Sequence, residues 1–167
     1  LGLLGGSYAA ALSGQGYTVG AIDRDPEAIR FALEQGIIAH GQCEVTSAYT
    51  GQFDIVIFAL YPHVFREWIA AHQDGLKSGA LLTDVTGVKC SVVYPIQQML
   101  RSDLEFVGAH PMAGREVSGV QNASGSLFRE ANYIVTPTPS NSEEAICRCE
   151  AIGRLIGCRK ISRLSPE

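Results

Sequence analysis

Leu1-Gly2-Leu3-Leu4-Gly5-Gly6-Ser7-Tyr8-Ala9-Ala10-Ala11-Leu12, followed by Tyr17-Thr18-Val19-Gly20-Ala21-Ile22-Asp23, decides how this chain folds. The glycine turn leads into an alanine-rich stretch that reads as a helix stopping at Gly14-Gln15-Gly16. The run at 17–22 reads as a strand and ends on an acid. Gly2-Leu3-Leu4-Gly5 supplies the second and third glycines of a G-x-G-x-x-G turn. The first glycine and its strand are expected to precede Leu1. Such a turn lets backbone approach a pyrophosphate and points free helix N–H groups at it. By itself the half motif also fits an ordinary tight turn. Asp23, 21 residues after Gly2, stands where an acid accepts hydrogen bonds from an adenosine ribose and repels a 2′-phosphate. This order of turn, helix, strand and acid points to a dinucleotide, NAD rather than NADP. Arg24 is the counter-signal, since an arginine there can hold a 2′-phosphate. Asp23 also fits a turn acid beside Asp25.

Outward from this stretch the alternation continues. Asp25-Pro26-Glu27 opens a helix with Asp as N-cap and Pro in the first turn; Ile29, Ala32 and Leu33 form its apolar face and Gly36 stops it. Apolar strands are expected at 54–59 and 80–83, then at 104–108, 132–136 and 158–161. Helices are expected at 62–71 and at 88–100, the latter bent or restarted by Pro95. Ser140 and Glu143 read as a capping box for a last helix, whose face is Ala145, Ile146, Cys149, Ile152 and Ile156. Strands apolar throughout are buried on both faces. The expected fold is therefore α/β: a Rossmann-type, doubly wound, mainly parallel sheet with helices on each side.

With 167 residues, 46% hydrophobic and 18% charged, the chain is one globular domain able to bury a core. The net charge of −4 argues against nucleic acid as the main partner. No apolar run approaches a membrane span, and no leader peptide is visible. Arg154, Arg159, Lys160 and Arg163 read as a solvated surface. Five cysteines without a Cys-x-x-Cys suggest reduced thiols in a cytoplasmic protein, with no metal site. Cys147 and Cys149 should point to different helix faces.

Phe106-Val107-Gly108-Ala109-His110-Pro111-Met112-Ala113-Gly114-Arg115-Glu116 follows the expected strand at 104–108. Ligands of such sheets bind beyond the carboxyl ends of strands, so His110 is placed where an imidazole could meet a substrate. A histidine capping a loop carbonyl is the plainer reading. His40, His63 and His72 lack this setting and read as surface residues.

With these segments in view, the chain resembles the N-terminal, nucleotide-binding domain of the prephenate/arogenate dehydrogenase family of tyrosine biosynthesis. The resemblance runs through Gly2-Leu3-Leu4-Gly5-Gly6-Ser7, Asp84-Val85-Thr86-Gly87-Val88-Lys89, residues 108–116 with Ser118-Gly119, and Tyr133-Ile134-Val135-Thr136-Pro137-Thr138. The His-Pro-Met-Ala-Gly stretch is its specific part. The resemblance implies that NAD takes a hydride from the ring carbon bearing the 4-hydroxyl of prephenate or arogenate. The ring carboxylate then leaves as CO2. His110 matches the catalytic histidine. Gly2, Leu3, Leu4, Gly5, Asp23, Arg24, Ala59, Leu60, Tyr61 and Thr86 would contact the cofactor; Thr86, Gly87, His110 and Glu116 would contact the substrate. Many members carry a serine where this chain has Gly87. Thr86 or a water is the expected replacement for its hydroxyl; a positive φ is another reason for a glycine there. Arg115 reads as exposed, or as a ligand of a substrate carboxylate. Residues 1–163 would be the NAD-binding domain, and 164–167 the start of a hinge to a helical second domain that makes a homodimer. Two rival readings are a β-hydroxyacid or imine reductase type of dehydrogenase, and a dinucleotide-binding regulatory module without catalysis.

Overall fold

The computed structural model describes residues 1–167. Its elements are α1 (Leu3–Gly14), β1 (Gly20–Ile22), α2 (Pro26–Glu34), β2 (His40–Gln42), α3 (Ser47–Thr50), β3 (Ile55–Phe58), α4 (Pro62–His72), β4 (Leu81–Asp84), α5 (Cys90–Met99), β5 (Glu105–Phe106), β6 (Gly108–Pro111), β7 (Asn132–Thr136), α6 (Glu143–Leu155) and β8 (Lys160–Arg163). β1 pairs with β2, and β3, β4 and β5 form a second ladder, all parallel. β7 lies antiparallel to β6 and parallel to β8. The expected doubly wound α/β architecture is thus present, with one antiparallel pair.

β4 shows how the sheet is covered. Leu81 packs into a core built from α1, α6, β6 and β7, while its neighbour Leu82 packs into another built from α4, α5 and β5. Successive side chains of a strand point to opposite faces, so both faces are buried. A third, smaller core of Ala9, Ala28, Ile29, Ala32, Ile38 and Val120 joins α1 and α2. The apolar face of α6 is buried as its spacing requires, at Ala145, Ile146, Cys149, Ile152 and Ile156. Cys147 points outward. α5 runs through Pro95 without a break.

Several expectations change. β3 is less buried than its apolar run suggests: Ile55 is exposed, Val56 and Ile57 are half-buried and only Phe58 is buried. Leu33 is exposed, and Ala28 takes its place against the core. The N-cap of α6 is Ser142, whose hydroxyl accepts from the Ala145 N–H at 3.1 Å; Ser140 instead bonds Thr138 and Gln97. β2 and α3 have too little apolar periodicity to be read in sequence. They make His40 a packed residue, its Nδ1 2.9 Å from the Tyr49 hydroxyl and its ring over Phe53. His72 packs on Trp68. Of the terminal basic residues, Arg163 is paired with Glu143 and Glu150, which holds both carboxyls below the usual range; Arg154 also pairs with Glu150, and Arg159 with Glu130.

Candidate active site

His110 lies inside β6 rather than beyond a strand end, opposite Ile134 of β7. Its Nδ1 is 3.0 Å from the carbonyl oxygen of Val85, at the carboxyl end of β4. A carbonyl can only accept, so Nδ1 carries the hydrogen, and in the neutral imidazole the lone pair is then on Nε2. The bond expected of an ordinary loop-capping histidine is therefore present, and it leaves the other nitrogen available as a base.

Gly87 faces this ring. A Cβ built on it would lie 3.5 Å from His110 Cε1 and 3.6 Å from Nε2, ordinary van der Waals contact. Gly87 does not take a positive φ, so that reason for a glycine falls away. The Thr86 hydroxyl donates its hydrogen to Asp84 Oδ2, so toward the imidazole or a substrate it could only accept. Space beside the imidazole is thus open.

Asp84 is fully buried and gathers donors from three directions. Lys89 Nζ reaches both its oxygens at 2.8 and 2.9 Å, the Ala109 N–H donates at 3.0 Å, and the Thr86 N–H at 3.1 Å. Lys89 also donates to the Ala109 carbonyl. Burial pulls the Lys89 ammonium below the usual lysine range, and the Asp84 carboxylate opposes that pull. Neither charge would tolerate such burial unpaired.

The glycine turn lies on the same side of the sheet. Gly2 is the N-cap of α1, and the first turn carries no acidic side chain. The N–H groups of Leu3, Leu4 and Gly5 lack partners within the helix. A Cβ at Gly2 would meet nothing within 4 Å, whereas one at Gly5 would come 3.0 Å from Ala59 Cβ. Open backbone at Gly2 and close packing at Gly5 are the two roles such glycines serve. On the other flank Asp23 follows β1, and the Asp25 N–H donates to its Oδ1 at 2.9 Å.

The predicted residues thus form a connected row. It runs from the glycine turn to Ala59, across the Phe58–Asp84 register, and on to Val85, Gly87 and His110, with Asp23 just past β1. Leu60 is half-buried after β3, and Tyr61, 77% exposed, starts α4. Arg24, Arg115 and Glu116 are exposed and carry no hydrogen bond that ties them to this row. A cavity of about 240 Å³ lined by Gly79, Leu81, Asp103 and Arg148 sits at the opposite, amino end of β4, away from these groups.

Sequence reasoning left out the supports of the row. Asp84 and Lys89 belong to a quoted segment but received no role. An acid ending an apolar strand with a lysine five residues on was the available signal, since such charges are buried only in pairs. Ser7, also fully buried, accepts from the Ser124 N–H at 3.0 Å and pins the segment after His110 onto α1.

Residues 8–161 match the family model described as prephenate dehydrogenase, nucleotide-binding domain. The prephenate dehydrogenase of Bacillus subtilis (strain 168) is 33% identical over 148 residues, which is 87% of this chain and 40% of that protein. Among solved structures, Synechocystis arogenate dehydrogenase superposes with a TM-score of 0.90 at 25% identity, over 99% of this chain and 58% of that one. The prephenate dehydrogenase of Aquifex aeolicus in complex with hydroxyphenyl propionate and NAD+ gives a TM-score of 0.88 at 30% identity, over 99% and 57%. The chain therefore spans about two fifths of the curated relative's length.

Proposed function

Since this chain belongs to the prephenate dehydrogenase family and matches its nucleotide-binding domain, we propose that it binds NAD and carries the base for the oxidative decarboxylation of prephenate or arogenate. The residues present fit the cofactor. The first turn of α1 offers free N–H groups to a pyrophosphate with no acid to repel it. The Asp23 carboxylate, just past the carboxyl end of β1, would receive ribose hydroxyls and disfavour a 2′-phosphate. Ala59, Leu60, Tyr61 and Arg24 would border the adenosine half, and Thr86 the far end. Bound NAD supplies the hydride acceptor.

The observation that carries the reading is the free Nε2 of His110, fixed by the Nδ1–Val85 bond on the same side of the sheet as the glycine turn. Nε2 accepts the proton of the 4-hydroxyl as the hydride leaves the carbon that bears it. The C–O bond gains double-bond character, and the ring carboxylate departs as CO2. Its electron pair completes the aromatic ring, and the proton held on Nε2 can return to the phenolic oxygen. Aromatisation supplies driving force, so the protein's task is chiefly positioning and proton transfer. Gly87 leaves room at the imidazole for substrate or water, and Glu116 would lie at the entrance.

Residues 1–163 would form the cofactor-binding domain and 164–167 the start of a connection to a second domain. That domain would complete the substrate site and form a homodimer. The greater length of the relatives leaves room for it. Steady-state turnover by the full-length protein, with prephenate and arogenate against NAD and NADP, tests this. Reduction of NAD coupled to CO2 release with at least one substrate is expected. No turnover with either would sink the enzymatic reading, and equal use of NADP would overturn the role given to Asp23.

A further inference from the structure

We infer that Asp84, neutralised by Lys89, is a positioning residue that holds His110 in its base-competent tautomer through both neighbouring strands. The inference rests on the catalytic reading of His110 given above.

The regular ladder between strands gives out just beyond Leu82 of β4. Leu82 pairs with Phe106, and the Val107 N–H still reaches the Leu82 carbonyl at 3.0 Å. Past that point β6 turns to pair with β7, and the next donor, the Ala109 N–H, bonds the Asp84 side chain instead. Lys89 Nζ fills the opening and takes the Ala109 carbonyl. Both backbone groups of the residue before His110 are thus held by one ion pair.

The same carboxylate shapes the other side. Asp84 Oδ2 accepts from the Thr86 N–H at 3.1 Å and from the Thr86 hydroxyl, closing a tight turn around Val85. The Val85 carbonyl is the acceptor for His110 Nδ1. Two separate paths therefore run from Asp84 to the imidazole, one through Ala109 and one through Val85. A fully buried carboxylate with this many donors is held in one place, because any departure leaves a buried donor unsatisfied.

Asp84→Asn alone would strand a buried ammonium and is expected to compromise folding. The test is D84N/K89M in the full-length protein, which removes both charges while the new amide oxygen can still accept from the Ala109 N–H. The melting temperature should fall modestly, because the Ala109 carbonyl loses its donor and the amide serves fewer donors than the carboxylate, while the variant stays folded and NAD binding stays close to wild type. Nitrogen-15 NMR of the wild type should show His110 protonated at Nδ1, and the double variant should show a mixture of tautomers. Turnover at saturating substrate should fall about 10²-fold, the scale of an ångström-sized misplacement, with KM little changed. A wild type protonated at Nε2 would overturn the inference without any variant. So would a folded double variant that keeps wild-type kcat, or one that loses kcat with its tautomer unchanged. If the wild type shows the Nδ1–H form and the variant loses it, but neither turns over prephenate or arogenate, the positioning stands and the proposed reaction falls.

Discussion

At the scale of single residues, the candidate site depends on which of two ring nitrogens is occupied. His110 donates through Nδ1 to a carbonyl that cannot donate back, so in the neutral ring the lone pair lies on Nε2. His110→Asn keeps a hydrogen-bonding side chain and loses the base. Turnover of the full-length protein is expected to fall by about 10²–10⁴ with NAD affinity nearly unchanged, read by steady-state kinetics beside a binding titration. Retention of near wild-type turnover would remove His110 from the chemistry. Gly87 poses the complementary question. A Cβ there would make only ordinary contact with the His110 ring, Gly87 has no positive φ, and the Thr86 hydroxyl is already bonded to Asp84. Gly87→Ser should therefore leave the melting temperature unchanged and raise kcat by up to about tenfold, the worth of one added hydrogen bond. Lower stability would show that the space beside the ring is not available.

At the scale of elements, close approach decides what glycine does in α1. A Cβ on Gly6 would lie 2.8 Å from Ala123 Cβ and 3.0 Å from Val120 Cγ2, so this residue lets the 120–123 turn seat on the helix. Neighbouring Ser7 fastens the same segment through Ser124. Gly6→Ala is expected to cost about 1–3 kcal/mol, the usual penalty of overpacking. Because that segment follows the His110 strand, turnover should fall along with the melting temperature. A melting curve matching wild type would mean the helix and turn move apart freely. The elements legible in sequence were those with strong apolar periodicity or explicit caps: α2 with Asp25 and Pro26, β4, β7 and the buried face of α6. β2 and α3 carried no such signal. They are held by His40 packing on Tyr49 and Phe53, nine and thirteen residues further on, contacts that no helix or strand period announces.

At the scale of the whole molecule, β1 and β3 belong to separate ladders; the glycine turn packs on Ala59 just past the carboxyl end of β3, and Asp23 follows the carboxyl end of β1. We expect a strand leading into Gly2 to lie between them in the full-length protein and to join both ladders into one sheet, with β2, β1, the new strand, β3 and β4 in that order. A full-length structure in which β1 pairs directly with β3 would contradict this. The sequence by itself determined the alternating α/β plan, the helix start that can receive phosphates, the acid after β1 and the candidacy of His110. These follow from local rules of periodicity, capping and turn chemistry that act over a few residues. Only the tertiary structure decided that His110 sits within a strand, that its Nδ1 is the protonated nitrogen, that Thr86 is already bonded elsewhere and that Asp84 and Lys89 lie beneath the site. Each of these depends on a partner distant in sequence or on a tight turn whose direction is set by a buried charge, and no local pattern encodes where such a partner will come to rest.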